Sequence, residues 1–544
     1  MPLLVSDLAE RRKVSRQIRD DAAETQFLEP EPIHSNNGDE ARFANKIGSS
    51  TKGLRHDATK GEVIRVDYDA LIAALRDGSF SNFQTLATNG HLGCTVDPKN
   101  RRRFVNPQSA YAFDLEGIDS HQLALRPAPA FDSAEEAGEM VELYWMALLR
   151  DTPFASYGTD PDALNAAADL SKLSDFRGPK VGGKVTPSTL FRDVYPGCAI
   201  GPYVSQFLLQ PVDFGAQRID TRILTATPHV DFMTTFAAWL NVINGCQPPD
   251  APSTSQLVFA HNGRDLTAYV HRDFLFQAYL VATVNLLGHT SAAPGDGGYL
   301  ADEGNPYGQF IDPTGTGRPL PVGASGSLAD IGFGTFGPPA IATLVCEAAT
   351  RALKHQWYQK WLVHRRVRPE EFGGHVEVQR LGRATYPFDK DLLNSPVLAA
   401  IQTRFGSHLL PQAFPEGSPM HPSYASGHAT VAGACVTVLK WFFDESTPIQ
   451  RPQVPNPADP GTLVPYVAPA NEAPLTVGGE LNKLASNISQ ARNIAGVHWR
   501  SDATEGNKLG EEVAISMLRE LSDLYNEPYN GSSLTKFDGT TITV

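Results

Sequence analysis

Between His421 and Trp441 a polar turn of small residues, His-Pro-Ser-Tyr-Ala-Ser-Gly-His, runs straight into an apolar helix that begins at Ala429. Only Thr430, Thr437 and Lys440 interrupt its apolar residues, so this helix is scaffold that other helices must pack around. Leu266–Leu287 is apolar on nearly every face and belongs at the centre of a bundle. Further helical periodicity falls at Tyr68–Leu75, Ser133–Leu149, Pro228–Ile243, Ala340–Val367, Gly479–Val497 and Asp502–Leu524. The Ala340 helix must stop at Arg368, because the residue before Pro369 is pushed out of the α region. Neither βαβ alternation nor a fixed-period repeat is visible. The expectation is an all-α chain. An extended arm covers 1–60, with a helix near 5–25, and one large bundle domain covers 61–544. Two Gly- and Pro-rich loops, Gly288–Pro339 and Thr447–Pro474, interrupt it, and a loop as long as the first is usually functional.

With 41% hydrophobic and 19% charged residues over 544 positions, the chain can bury an extensive core. A net charge of −14 argues against a nucleic-acid partner, although a basic pocket inside an acidic protein stays open. The five cysteines, Cys94, Cys198, Cys246, Cys346 and Cys435, are far apart and show no zinc-type pairing. Cys435 reads as a buried small residue, while long-range or intermolecular disulfides remain open. No stretch is long and apolar enough to span a bilayer, and the N-terminus lacks signal-peptide architecture. The expectation is a soluble protein, cytoplasmic by default, or secreted or periplasmic if a leader has been removed.

Three segments carry chemistry. The first turn of the helix at Gly427 offers free N–H groups and a favourable dipole to an anion, Ser426 adds a hydroxyl, and His421 and His428 titrate near neutrality. Alone it also reads as an ordinary capped helix start. Lys360 and Arg368 would lie about 80° apart and roughly 12 Å along one helix axis, so only long side chains at a helix end can converge. Alone they read as a solvated basic end. Arg492, His498 and Asp502 form the third segment. The last two are four apart, so on a continuing helix Asp502 would orient the histidine or pair with Arg492. Together the segments supply three permanent cations, neutral donors and two histidines, which suit a tetrahedral oxyanion such as phosphate or an analogue.

The order Lys-x7-Arg-Pro, Pro-Ser-x-x-Ser-Gly-His and Arg-x5-His-x3-Asp resembles the three-part signature of the type 2 phosphatidic acid phosphatase superfamily, which includes the vanadium-dependent haloperoxidases. Seven residues between Lys360 and Arg368, rather than six, is the spacing of the algal bromoperoxidase type; Ala491 stands where Ser is usual. Asn37–Glu40, Thr51–Leu54, Asn106–Gln108, Met140–Arg150, Gly201–Gln206 and Phe333–Gly337 also look like that type.

The resemblance implies a haloperoxidase fold of two four-helix bundles, with the site within 340–510. It implies a vanadate cofactor bound directly by His498, with Lys360, Arg368, Ser426, Gly427 and Arg492 on its oxygens. His428 would handle protons, with Lys360 stabilising charge on peroxide. His421, Trp357 and Gln359 would lie toward the halide, and Asp502 behind His498. The implied activity is oxidation of bromide, and iodide, by hydrogen peroxide to a hypohalous acid equivalent that halogenates small organic acceptors. The implied assembly is a homo-oligomer, a dimer or larger. Structural calcium occurs in some relatives, without a recognisable loop here. The rivals are a soluble acid phosphatase using the same pocket and a non-catalytic, oligomer-forming helical protein.

Overall fold

The computed structural model describes residues 8–95, 98–288, 298–312, 316–317, 326–327 and 329–544. Much of the Gly288–Pro339 loop, including most of its Gly-Asp-Gly-Gly run, therefore lies outside the described residues, as does the start of the arm. The elements that matter here are α1 (Leu8–Leu28), α2 (Arg65–Asp77), α3 (Ala134–Leu148), α4 (Gly263–Arg272) and α5 (Gln277–Leu286). They continue with α6 (Pro338–Tyr358), α7 (Pro369–Arg380), α8 (Gly427–Phe442), α9 (Val477–Ile494) and α10 (Arg500–Ser522). The sheets among the described residues are short two-stranded antiparallel ladders. The mainly helical expectation holds.

Helix α8 is the axis. It is buried along nearly its whole length and packs against α6, α9 and α10. Its closest neighbour is α10. A Cβ at Gly433 would run into the Asn507 carbonyl, and one at Gly510 into the Thr430 carbonyl, so the two backbones approach closely only because both positions are glycine. Around this axis the largest apolar cluster among the described residues extends from Met140 and Tyr144 on α3 to Leu481 and Ile488 on α9.

Several expected helices are shorter than their periodicity. Leu266–Leu287 is two helices, because Asp273 takes an extended conformation that ends α4. Pro228–Ile243 is helical only over Phe236–Ile243: His229 and Met233 adopt left-handed φ, and Phe232 pairs with Gln412. The expected helix to Arg368 ends its regular α-turns at Tyr358, continues as a wider π-turn over Gln359–His364, and is broken by Arg365 at φ 40°. The apolar periodicity thus spans a discontinuity. The Thr447–Pro474 loop holds a hairpin, Gln453–Asn456 against Asp459–Pro465. Ser133–Leu149 does form α3, capped by Ser133. Its glutamates do more than complement a dipole: Glu136, Glu139 and Glu142 are buried.

Helix α1 buries none of its residues, whereas the stretch 46–54 of the arm is almost wholly buried in the body. Lys52 is fully buried on Glu370, and Thr51 N donates to Glu371 at 2.9 Å. Cys94 and Cys246 form a disulfide that closes 152 residues, and Cys198, Cys346 and Cys435 are free. Among the described residues no helix is long and apolar enough to cross a membrane.

Candidate active site

The break after α6 brings Lys360 and Arg368 together. Lys360 lies in the π-turn, and Arg368 is the residue before α7, its backbone N–H donating to Glu371 at 3.2 Å. The Lys360 Nζ donates to the Pro422 and Ser423 carbonyls at 2.9 and 2.7 Å, reaching under the turn before α8. Arg368 donates through Nε to the His421 carbonyl at 3.0 Å and through Nη1 to the Val497 carbonyl at 2.6 Å. Burial drives the proton affinity of Lys360 well below the ordinary lysine value, and neighbouring Arg368 adds to the effect. Burial likewise lowers Arg368 and Arg492 to about 10.

Ser426 caps α8 by accepting from Ala429 N at 3.4 Å, and Gly427 follows as the first helical residue. His421 and Trp357 lie with ring centroids 4.9 Å apart on one wall of a cavity of about 340 Å³. His428, Arg492, His498 and Gly427 line the same cavity. His428 Nε2 lies 3.1 Å from Asp273 Oδ1. Burial lowers the His428 proton affinity, Asp273 opposes that shift, and Arg492 reinforces it. His421 is held neutral by burial, then by Lys360 and Arg368.

His498 precedes α10 rather than lying on a continuing helix. Asp502, in the first turn of α10, accepts from Trp499 N at 3.2 Å and holds His498 Nδ1 at 2.7 Å through the same oxygen. Ser423 donates to that carboxylate as well. The spacing of four thus acts through a helix cap, and Asp502 pairs with Arg366 at 2.8 Å, not with Arg492. Arg368 Nη1 lies 3.0 Å from His498 Nε2. A guanidinium can only donate, so Nε2 carries the lone pair and Nδ1 the proton. Burial and the surrounding cations keep the ring neutral.

The charge around this histidine does not balance. Asp502 is committed to Arg366 and His498, and Asp273 to His428. Lys360, Arg368 and Arg492 have no carboxylate ion pair among the described residues, and the buried Arg492 Nε has no hydrogen-bond partner. Buried cations without counter-charge are costly. The arrangement is built to receive an anion.

Relatives of the whole chain decide the family. The chain is 34% identical to a vanadium-dependent bromoperoxidase of Corallina pilulifera, over 100% of both chains. This chain belongs to the vanadium-dependent bromoperoxidase family. It is also 34% identical to the Ascophyllum nodosum vanadium-dependent bromoperoxidase, covering 86% of this chain and 81% of that one. Residues 395–527 match the VCPO second helical-bundle domain. A solved structure described as the homohexameric second vanadate-dependent bromoperoxidase of Ascophyllum nodosum superposes with a TM-score of 0.88 at 27% identity, covering 99% of this chain and 92% of that chain.

Of the residues singled out in the sequence for this family's chemistry, Lys360, Arg368, Arg492, Ser426, Gly427, His421, His428, His498, Asp502 and Trp357 are gathered within one neighbourhood. Gln359 is not. The π-turn directs it away from the cavity, and its amide donates to the Leu123 carbonyl at 2.6 Å. Sequence reasoning missed Asp273, which lies in a helix break its periodicity concealed. It also missed Ser423, which lay inside the quoted motif, and Arg366, which shares a basic run with Arg365 and Arg368.

Proposed function

We propose that this chain is a vanadate-dependent bromoperoxidase that oxidises bromide, and iodide, with hydrogen peroxide to a hypohalous acid equivalent, which then halogenates organic acceptors. The observation that carries the reading is the set of three buried, unpaired cations gathered around a neutral histidine whose Nε2 lone pair faces them. That donor set fits vanadate, a tetrahedral oxyanion whose metal accepts a nitrogen ligand. Among the described residues no group of three or more His, Cys, Asp or Glu side chains could hold a metal ion. Lys360, Arg368, Arg492, the Ser426 hydroxyl and the Gly427 N–H would hold the oxygens, and His498 Nε2 the vanadium. When bound, vanadate supplies Lewis-acid activation of peroxide without cycling its own oxidation state.

This chain's residues do the rest. Asp502 holds the Nδ1 proton of His498, so the ligand nitrogen keeps its lone pair. Lys360 stabilises negative charge developing on the peroxide oxygen. His428 takes the proton that peroxide gives up on entering and returns it to the leaving oxygen. Bromide attacks the other oxygen, the O–O bond breaks, and bromide is oxidised by two electrons while peroxide is reduced. In sum, hydrogen peroxide, bromide and one proton give hypobromous acid and water. His421 and Trp357 lie on the halide side. The homohexameric neighbour supports a homo-oligomer.

The test is vanadate-loaded protein assayed for bromide-dependent halogenation with peroxide and, separately, for phosphoester hydrolysis. Halogenation is expected to dominate; hydrolysis without halogenation would move the assignment to a phosphatase. A second expectation isolates the proton handler. Asp273→Ala should lower turnover by roughly 10–100-fold while leaving bound vanadium unchanged, because Asp273 orients His428 rather than the cofactor. Loss of vanadium in that variant would place Asp273 with the cofactor instead.

A further inference from the structure

The cavity that ends on Arg492 and His498 has a second arginine on its wall. Arg102 lines it beside His271, Glu416 and Val105 and is half-buried, whereas Arg492 and His498 are buried, so Arg102 lies toward its outer end. Its Nη1 donates to the carbonyls of Glu416 and Ser418 at 2.8 and 3.1 Å, and among the described residues no carboxylate forms an ion pair with it. The two carboxylates whose charge reaches it are already engaged. Glu416 Oε1 lies 2.6 Å from His271 Nε2. Glu370 holds the buried Lys52 ammonium and accepts from Ser418 N at 2.7 Å. The remaining carboxylate on the cavity wall, Asp273, belongs to His428.

The backbone makes this placement deliberate. Arg102 N donates to the Gly245 carbonyl at 2.9 Å, Arg101 Nε to the Cys94 carbonyl at 3.1 Å, and Val105 N to the Met420 carbonyl at 3.0 Å. The Cys94–Cys246 disulfide staples the loops on either side of that lacing. A cation is thus fixed at the outer end of a cavity in a protein of net charge −14. A halide approaching such a protein meets a repulsive field, and a focused positive charge at the cavity mouth reverses it locally. The guanidinium is also weakly hydrated, which suits large monovalent anions.

We propose that Arg102 forms an outer anion subsite, where bromide or iodide is held before it moves inward to His421 and Trp357. The proposal rests on the bromoperoxidase reading for its role in turnover, but not for anion binding itself. The structure also provides a reporter. Of the six tryptophans, Trp145, Trp239, Trp361, Trp441 and Trp499 are buried, and Trp357 is the half-buried one, on this cavity's wall.

The experiment uses the full chain as wild type, Arg102→Gln and Arg102→Lys. Gln keeps an amide donor and drops the charge, whereas Lys restores the charge. Iodide quenching of tryptophan fluorescence is expected to weaken several-fold in Arg102→Gln, while quenching by neutral acrylamide stays unchanged. In the vanadate-loaded enzyme the KM for bromide should rise about tenfold, the lower end of what a focused field does to local ion concentration. The KM for uncharged peroxide should hold, and Arg102→Lys should recover most of the loss. Unchanged iodide quenching and bromide KM in Arg102→Gln would overturn the subsite. So would a parallel rise in both KM values, with altered acrylamide quenching and no rescue by lysine, since that pattern marks a structural role alone. If wild type oxidises no bromide yet iodide quenching still depends on Arg102, the bromoperoxidase reading fails and the anion site stands.

Discussion

His498→Ala is expected to give a folded protein that retains no vanadium through gel filtration and oxidises no measurable bromide. The argument begins with which atom is free. His498 Nδ1 is held by Asp502 at 2.7 Å, and Nε2 faces Arg368 Nη1 at 3.0 Å, so the ring offers a lone pair to the centre of the cation cluster. Lys360, Arg368 and Arg492 survive the substitution and still offer positive charge to an oxyanion, but in the proposed complex they would reach its oxygens only. What the substitution removes is the nitrogen donor proposed for the metal itself. Lewis-acid activation is worth several kcal/mol, so turnover should fall by more than ~10³-fold. The fold should persist, because Asp502 keeps its bonds to Arg366 and to Trp499 N, and α10 keeps its cap. Vanadium content by elemental analysis and bromide-dependent halogenation check it together. Stoichiometric vanadium with wild-type turnover would remove His498 from the ligand set.

How much of this site could be read in the sequence differs residue by residue. The residue types of Lys360, Arg368, Ser426, His428, Arg492 and His498 and their order were legible, because short motifs preserve identity and spacing. Their geometry was not. A 3.6-residue period assumes an unbroken helix, and the π-turn at Gln359–His364 with left-handed Arg365 breaks it where the two cations must turn inward. The His498–Asp502 pair was found at the correct spacing for a different reason, a cap rather than a helix face. Asp273 and Arg102 carried no local signal. Each is an ordinary charged residue made special by partners far away in sequence, Asp273 by His428 at a separation of 155 and Arg102 by Glu416 at 314. The disulfide was equally silent, since its cysteines are 152 residues apart. The bundle itself was legible from apolar helices, but the glycine contacts that set the α8–α10 distance depend on which helix faces which.

Arg366→Met should be the most destabilising single change near the site, at about 3–5 kcal/mol, read as a lowered urea midpoint. Arg366 is fully buried and serves three carboxylates: it pairs with Glu136, with Glu139 at 2.9 Å and with Asp502 at 2.8 Å. It also donates to Ser501 at 2.8 Å, and its guanidinium carbon lies 4.8 Å from the Trp499 ring centroid. Methionine fills much of the volume and restores none of the charge. Glu136 and Glu139 already have raised proton affinity, first from burial, with Arg366 as the principal force pulling it down. Removing the arginine lifts both further. A carboxyl whose folded pKa exceeds its unfolded value is stabilising at low pH and loses that contribution as pH rises through the folded value. The deficit of Arg366→Met should therefore be greatest above neutrality and shrink toward the ordinary carboxylate range, about pH 4–5. Adding Glu136→Gln and Glu139→Gln should recover part of the loss, since it removes the charges left without a partner. A deficit of the same size at every pH would show that Arg366 is valued for packing alone. Because Asp502 is the carboxylate shared between Arg366 and His498, the same variant should also bind vanadate more weakly under conditions where it remains folded. The stability of the buried ion cluster and the orientation of the proposed ligand histidine should thus depend on one arginine, which is not on the cavity wall.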